Sequence, residues 1–211
     1  MDRRIFLFAL AAWAGPIGRS AHAQGRAADR TVLDALSAYL NGLGTVRSDF
    51  VQTNADSSQS SGVVTIRQPG RARFEYAAPS RALVLVGAGR IAIFDDASNQ
   101  PPQSFPLAQT PLALLLGQRI NLGDAGMVAE VRREAGLVSV VGQDPTRPEQ
   151  GWIEILFAEN PSLLLGWTIV NAAGEETTVR LEGLRPASDV SAFDFSVDAE
   201  MISRGLSKTD D

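Results

Sequence analysis

The chain has 211 residues, 45% of them hydrophobic and 20% charged, with 19 basic and 24 acidic side chains for a net charge of −5. This is the composition of a globular protein long enough for one sizeable core, and the acidic balance excludes the basic face that nucleic-acid binding requires. Cysteine is absent, which excludes disulfides, thiolate chemistry, cysteine-held metals and lipidation of an N-terminal cysteine.

The N-terminus reads as an export signal over residues 1–23. Arg3 and Arg4 form a positive region, Ile5 to Ala14 is an uncharged apolar run, and Ala21-His22-Ala23 is a small-residue cleavage site. The run is too short to anchor the chain across a bilayer. Arg3-Arg4-Ile5-Phe6-Leu7 also fits a twin-arginine signal, so both export routes stay open. Cleavage after Ala23 removes Arg3, Arg4, Arg19 and Asp2 and leaves 16 basic against 23 acidic residues, net −7. It also removes His22, the only histidine. The mature chain is then expected to work without metal or cofactor: Ser-His-Asp and Cys-His systems, His-held zinc and His-held haem all lack their ligand or base. A carboxylate-only hydrolase is the enzyme class that survives.

Along the mature chain, Val32, Leu36, Tyr39 and Leu43, with Leu33 and Leu40, recur at helical spacing. Thr31 to Asp34 resembles a capping box, and Gly42 and Gly44 stop the helix. The period then switches to two. Val46 to Thr53 is a first strand, Val63 to Arg67 a second, and Arg71 to Tyr76 a third in which Arg71, Arg73 and Glu75 alternate with Ala72, Phe74 and Tyr76. Gln68-Pro69-Gly70 is the turn between them. Leu83 to Val86 and Ile91 to Phe94 flank a Gly87 to Arg90 hairpin loop. Further strands are expected at Val128–Val131, Leu137–Val141, Trp152–Phe157, Leu165–Val170 and Thr177–Leu184, with Phe193-Asp194-Phe195 closing the series. Short turns joining strand to strand predict an antiparallel meander.

A second, short helix is expected at Pro111–Leu116, capped by Thr110 and stopped by Gly117. Its leucines surround it, so it is either buried on several sides or covers an apolar cavity. Alternation places Phe50, Val64, Ile66, Phe74, Tyr76, Leu85, Ile93, Ile153, Ile155, Trp167 and Ile169 on one apolar face. Leu36 and Leu40 of the first helix, with Leu112, Leu115 and Leu116 of the second, are expected to form a lid over it. Residues 57–61 and 144–150 read as loops, and residues 203–211 as a polar tail beyond a domain spanning 24–202. The adjacent acids Asp95-Asp96, Glu175-Glu176 and Asp210-Asp211 fall at turns or in the tail, where neighbours diverge into solvent. No calcium-loop signature is present.

Ser48 to Thr53 and Arg67 to Tyr76 followed by Pro79 carry a resemblance to the periplasmic outer-membrane lipoprotein carrier (LolA) family. So do Pro106 to Leu116, Leu164 to Thr178 and Phe193-Asp194-Phe195, in the same order. The resemblance implies a mainly β fold: an open, unclosed antiparallel barrel whose concave apolar face is covered by helices. It implies a monomeric, non-enzymatic periplasmic carrier of lipoprotein acyl chains, loaded by an inner-membrane ABC transporter and unloaded to an outer-membrane receptor lipoprotein. The family's lid-bonding arginine stands directly before the proline. Here that position is Gln68, with Arg67 one residue earlier, so the lid latch is Gln68, Arg67 through a bulge, or missing. Ala72 replaces a frequent aromatic. Competing expectations are a carrier of free fatty acids or other lipids, the carboxylate-dependent hydrolase, and an envelope scaffold with a filled core.

Overall fold

A computed structural model of the chain describes residues 20–95, 100–123 and 126–206, with side chains from Asp29 onward. The charged and apolar parts of the expected export signal, and the end of the expected tail, lie outside these residues. Eleven strands form one sheet: β1 (Thr45–Thr53), β2 (Gln59–Arg67), β3 (Arg71–Tyr76), β4 (Leu83–Gly87), β5 (Arg90–Phe94), β6 (Gln103–Pro106), β7 (Val128–Glu134), β8 (Leu137–Gln143), β9 (Trp152–Ala158), β10 (Leu163–Val170) and β11 (Glu176–Pro186). Three α-helices accompany it: α1 (Ser20–Gly42), α2 (Ala113–Leu116) and α3 (Val197–Ser203).

The strand order is β6-β5-β4-β3-β2-β1-β11-β10-β9-β8-β7, with antiparallel pairing throughout. The chain meanders outward from β1 to β6, starts again at the opposite edge with β7, and meanders back until β11 pairs with β1. β6 and β7 do not pair, so the sheet stays open, as the family resemblance implies.

Local chemistry sets the elements. In β3, Ala72 and Phe74 are buried while Arg71 and Glu75 are exposed, the alternation of a strand with one wet face. The β4–β5 hairpin turns on Ala88 and Gly89 at φ of 49° and 73°, two left-handed residues whose twist matches that of the flanking strands. Several elements differ from expectation. α1 begins at Ser20 rather than at the expected Thr31 capping box, so it runs through the expected cleavage site, and β6 has no counterpart among the expected strands. The short helix begins at Ala113, not Pro111, because Thr110 turns its hydroxyl back to the Leu107 carbonyl (2.9 Å) instead of capping forward. β2 starts at Gln59, inside the expected 57–61 loop. Phe193-Asp194-Phe195 is a 3-10 turn rather than a strand, and it leads into α3, which is capped by Ser196 Oγ accepting from the Ala199 N–H (3.2 Å).

Both faces of the sheet are partly covered. The concave face joins the buried side chains of α1 and α2 in one core that includes Leu36, Leu40, Phe50, Phe74, Leu115 and Trp167. On the convex face Leu83, Leu85, Ala92 and Phe94 form a smaller cluster under Val197, Met201 and Leu206. Among the described residues no helix is long and apolar enough to cross a membrane.

α3 is also held by charge. Arg73 bonds to Glu200 (3.1 Å), Glu75 (3.2 Å) and the Asp194 carbonyl (3.1 Å), and Arg204 bonds to Glu200 (2.8 Å). Burial of Glu200 opposes its charge, but the hydrogen bonds from Arg204 and Arg73 outweigh that and hold its carboxyl below the ordinary range. A carboxyl depressed in the folded state stabilises fully above its unfolded value, about 4.3, and loses that contribution as pH falls through the folded value. Glu200→Gln is therefore expected to cost about 1–3 kcal/mol at neutral pH, a difference from the parent protein that shrinks below about pH 4. Urea unfolding at several pH values checks this; a pH-independent difference contradicts it.

Candidate functional site

The concave face is built by strand parity. Phe50, Val64, Ile66, Phe74, Ile153, Ile155 and Trp167 lie in the concave core, with Tyr76 and Ile169 half-buried against it. Register confirms the shared face: Val64 opposes Phe74, Ile155 opposes Trp167, and Trp167 opposes Val179. Phe50 stacks edge-on against Phe74 and Tyr76, with centroids at 5.8 and 5.1 Å, and Phe74 does so against Trp167 at 6.1 Å. Such geometry adds about 0.5–1.5 kcal/mol per pair beyond burial.

Two expected members sit elsewhere. Leu85 opposes Arg73 across β3–β4 and packs on the convex face under α3, which corrects its assignment. The run Leu83–Val86 is apolar on both faces because both are covered, so period two cannot give its parity. Ile93 has concave parity, opposite Val84, but lies near the sheet edge and is 36% exposed.

Leu36, Leu40, Leu115 and Leu116 are all buried against this face, and Leu112 is half-buried at its rim. Polar contacts tie the cover together. Asn41 donates to the Ile120 carbonyl (2.7 Å) and accepts from the Ile120 N–H (3.1 Å), and Ser37 Oγ accepts from the Leu122 N–H (2.9 Å). α1 is thus joined to the segment that follows α2. Tyr39 accepts from the Leu164 N–H (3.0 Å) and meets Phe157 edge-on, and burial pushes its phenol above the ordinary value. Sequence reading missed Ser37 and Asn41. Their i,i+4 spacing beside the apolar stripe was the available signal.

Of the two latch candidates, Gln68 reaches the short helix. Its Nε2 donates to the Leu115 carbonyl (3.0 Å) while its Oε1 accepts from the Gly70 N–H (2.9 Å). The last carbonyls of a helix have no partner of their own, and Gln68 supplies one. Arg67 makes no side-chain hydrogen bond or ion pair among the described residues. A neutral hydrogen bond contributes about 1 kcal/mol. Gln68→Leu is accordingly expected to raise opening of α2 about three- to tenfold, read as faster hydrogen exchange at the Leu115 and Leu116 amides. Unchanged exchange would show that the bond holds nothing.

Beside Leu112, just before α2, the concave face carries a cavity of about 130 Å³, lined by Gln52, Phe74, Tyr76, Val84, Leu112, Trp167, Ile169, Thr177 and Val179. It is smaller than the ~300–1,000 Å³ typical of ligand pockets. A larger cleft of about 370 Å³ lies on the convex face among Arg47, Arg73, Glu75, Asp194 and Glu200; its charged lining belongs to the α3 joint. Among the described residues no three histidine, aspartate or glutamate side chains converge as metal ligands do.

The chain is similar to known proteins. A protein from Methylococcus capsulatus described as an outer-membrane lipoprotein carrier protein is 26% identical over 181 residues, covering 80% of this chain and 85% of that one. An uncharacterised conserved protein from Thermus thermophilus superposes over 80% of this chain and 92% of its own, at 10% identity and a TM-score of 0.47. A LolA superfamily protein from Nitrosomonas europaea does so over 79% and 96%, at 11% identity and a TM-score of 0.44. The family described as outer membrane lipoprotein carrier protein LolA matches residues 41–198. With the match spanning β1 to the start of α3, the chain belongs to the LolA family of lipoprotein carriers.

Proposed function

We propose that this chain is a periplasmic carrier that takes lipoprotein acyl chains into its concave face and shuttles them from the inner to the outer membrane. The observation that carries the reading is the pairing of a continuous apolar concavity with a leucine-rich cover that Gln68 bonds to the sheet. Burying an acyl chain contributes about 0.8 kcal/mol per CH₂. A carrier must therefore hide the whole chain and still release it, which favours a weakly latched cover over a tight pocket. When a chain displaces Leu112, Leu115 and Leu116, it replaces apolar contacts with apolar contacts, so exchange is nearly neutral.

In this reading residues 1–23 direct export and are removed after Ala23, residues 24–202 are the carrier domain, and 203–211 form a polar tail. The protein acts as a monomer without cofactor. An inner-membrane ABC transporter loads it, and an outer-membrane receptor lipoprotein accepts its cargo. The test is native mass spectrometry of the protein purified from cells that express a lipoprotein substrate. The expected masses are complexes with lipidated lipoprotein. Complexes with free fatty acid or phospholipid alone would replace this reading with that of a general lipid carrier.

A further inference from the structure

Apolar burial is non-directional and cannot tell one acyl ligand from another. Discrimination falls to the few polar groups in the pocket. The 130 Å³ mouth contains three: Gln52 from β1, Tyr76 from β3 and Thr177 from β11. They belong to different strands and line the same cavity as Phe74, Leu112 and Trp167.

These three groups have hydrogen-bonding capacity to spare. Tyr76 Oη donates to Gln52 Oε1 (2.6 Å), and Gln52 Nε2 donates to Asn54 Oδ1 (2.7 Å). This leaves one Gln52 N–H, the Tyr76 Oη lone pairs and the Thr177 hydroxyl without a side-chain partner among the described residues. The set offers donors for a carbonyl and an acceptor for an amide N–H. An ester or amide carbonyl carried into this mouth is re-bonded. Left unpaired, it would cost about 1–3 kcal/mol.

Among the described residues the mouth also lacks positive charge: no arginine or lysine lines it. Burial raises the Tyr76 phenol above its ordinary value, and the hydrogen bond to Gln52 only partly offsets this, so Tyr76 stays neutral. A free carboxylate would be desolvated here without a counter-charge, which is far more costly than burying a neutral carbonyl.

We infer that Gln52, Tyr76 and Thr177 form a hydrogen-bonding station for the ester and amide linkages of the ligand, so that the mouth selects acyl chains with uncharged heads over free fatty acids. The inference rests on the carrier reading and deepens it. It is tested on the full mature chain at pH 7.5 by competition for a fluorescent hydrocarbon probe. The competitors are a dipalmitoylated lipopeptide, monopalmitoylglycerol and palmitate.

The two neutral ligands are expected to bind at least about tenfold more tightly than palmitate, and palmitate affinity should rise as pH falls and its carboxylate protonates. Tyr76→Phe and Gln52→Leu should each weaken lipopeptide binding about three- to tenfold, a larger loss than either causes in binding of the hydrocarbon probe. Palmitate binding at pH 7.5 as tight as the neutral ligands would overturn the inference. So would an equal loss of lipopeptide and hydrocarbon binding in Tyr76→Phe, which would show a purely structural role. Failure of every acyl ligand to compete would overturn the carrier reading itself, and this inference with it.

Discussion

Oxidising a Leu114→Cys/Gly142→Cys pair is expected to abolish uptake of acyl ligands, and reduction to restore it. α2 crosses the concave face beside β8, and a Cβ built at Gly142 would lie 2.2 Å from Leu114 Cδ1. The two positions are therefore in side-chain contact, and exchanging leucine for cysteine removes the methyl groups that would clash. A disulfide needs Cβ atoms about 3.5–4.5 Å apart, and a Cβ at 142 that meets the tip of the Leu114 side chain makes the pair a candidate for one. The chain contains no cysteine of its own, so no other thiol competes. With α2 pinned to β8, Leu112 stays over the mouth and the cavity keeps its 130 Å³, too little for a palmitoyl chain. Uptake should fall at least about 100-fold, since the alternative is to leave most of an acyl chain in water at about 0.8 kcal/mol per CH₂. A crosslink verified by mass with undiminished uptake would show that ligand enters by another route, whatever the fold.

The second large effect is on stability. Phe50→Ala is expected to destabilise the protein by about 3–5 kcal/mol. Phe50 is 1% exposed at the centre of the sheet, where β1 pairs with both β2 and β11. It holds Phe74 and Tyr76 through two edge-on contacts. Its removal forfeits the transfer energy, those contacts and the packing of the void left behind. Because the void adjoins the mouth, an acyl ligand that reaches into it should raise the melting temperature of the variant more than that of the parent protein. Urea unfolding measures the first effect; a loss below about 1 kcal/mol would show that Phe50 is not at the heart of the core.

How much of this was legible in the sequence depends on what lies on each side of an element. β3 has one wet face, so Arg71 to Tyr76 spelled out its parity in full. β4 has apolar cover on both faces, so Leu83 to Val86 carried no alternation and Leu85 was assigned to the wrong side. Both short helices lie where two local signals compete. The Thr110-Pro111 start signal gave way to a turn that sets α2 two residues later. α3 escaped notice because Phe193-Asp194-Phe195 looked like a strand, although Ser196 with Val197 and Met201 was a readable cap and i,i+4 apolar pair. The site was legible in its apolar half and silent in its polar half. Periodicity identifies buried leucines and phenylalanines, but nothing local says that Asn41 reaches Ile120, or that Gln52 meets Tyr76 across the sheet. The latch was narrowed to two neighbouring residues, and only the geometry of the Gln68-Pro69-Gly70 turn separates the side chain that reaches α2 from the one that does not.

The central claim is that the concave face accepts lipoprotein acyl chains from a membrane. Its most direct test is incubation of the purified mature protein with spheroplasts that carry labelled, outer-membrane-destined lipoproteins and their inner-membrane ABC transporter. The account predicts release of lipoprotein into the soluble fraction as a one-to-one complex, and no release by the oxidised Leu114→Cys/Gly142→Cys form. Lipoprotein that stays in the membrane fraction, while a carrier known to act with the same transporter releases it, would contradict the account.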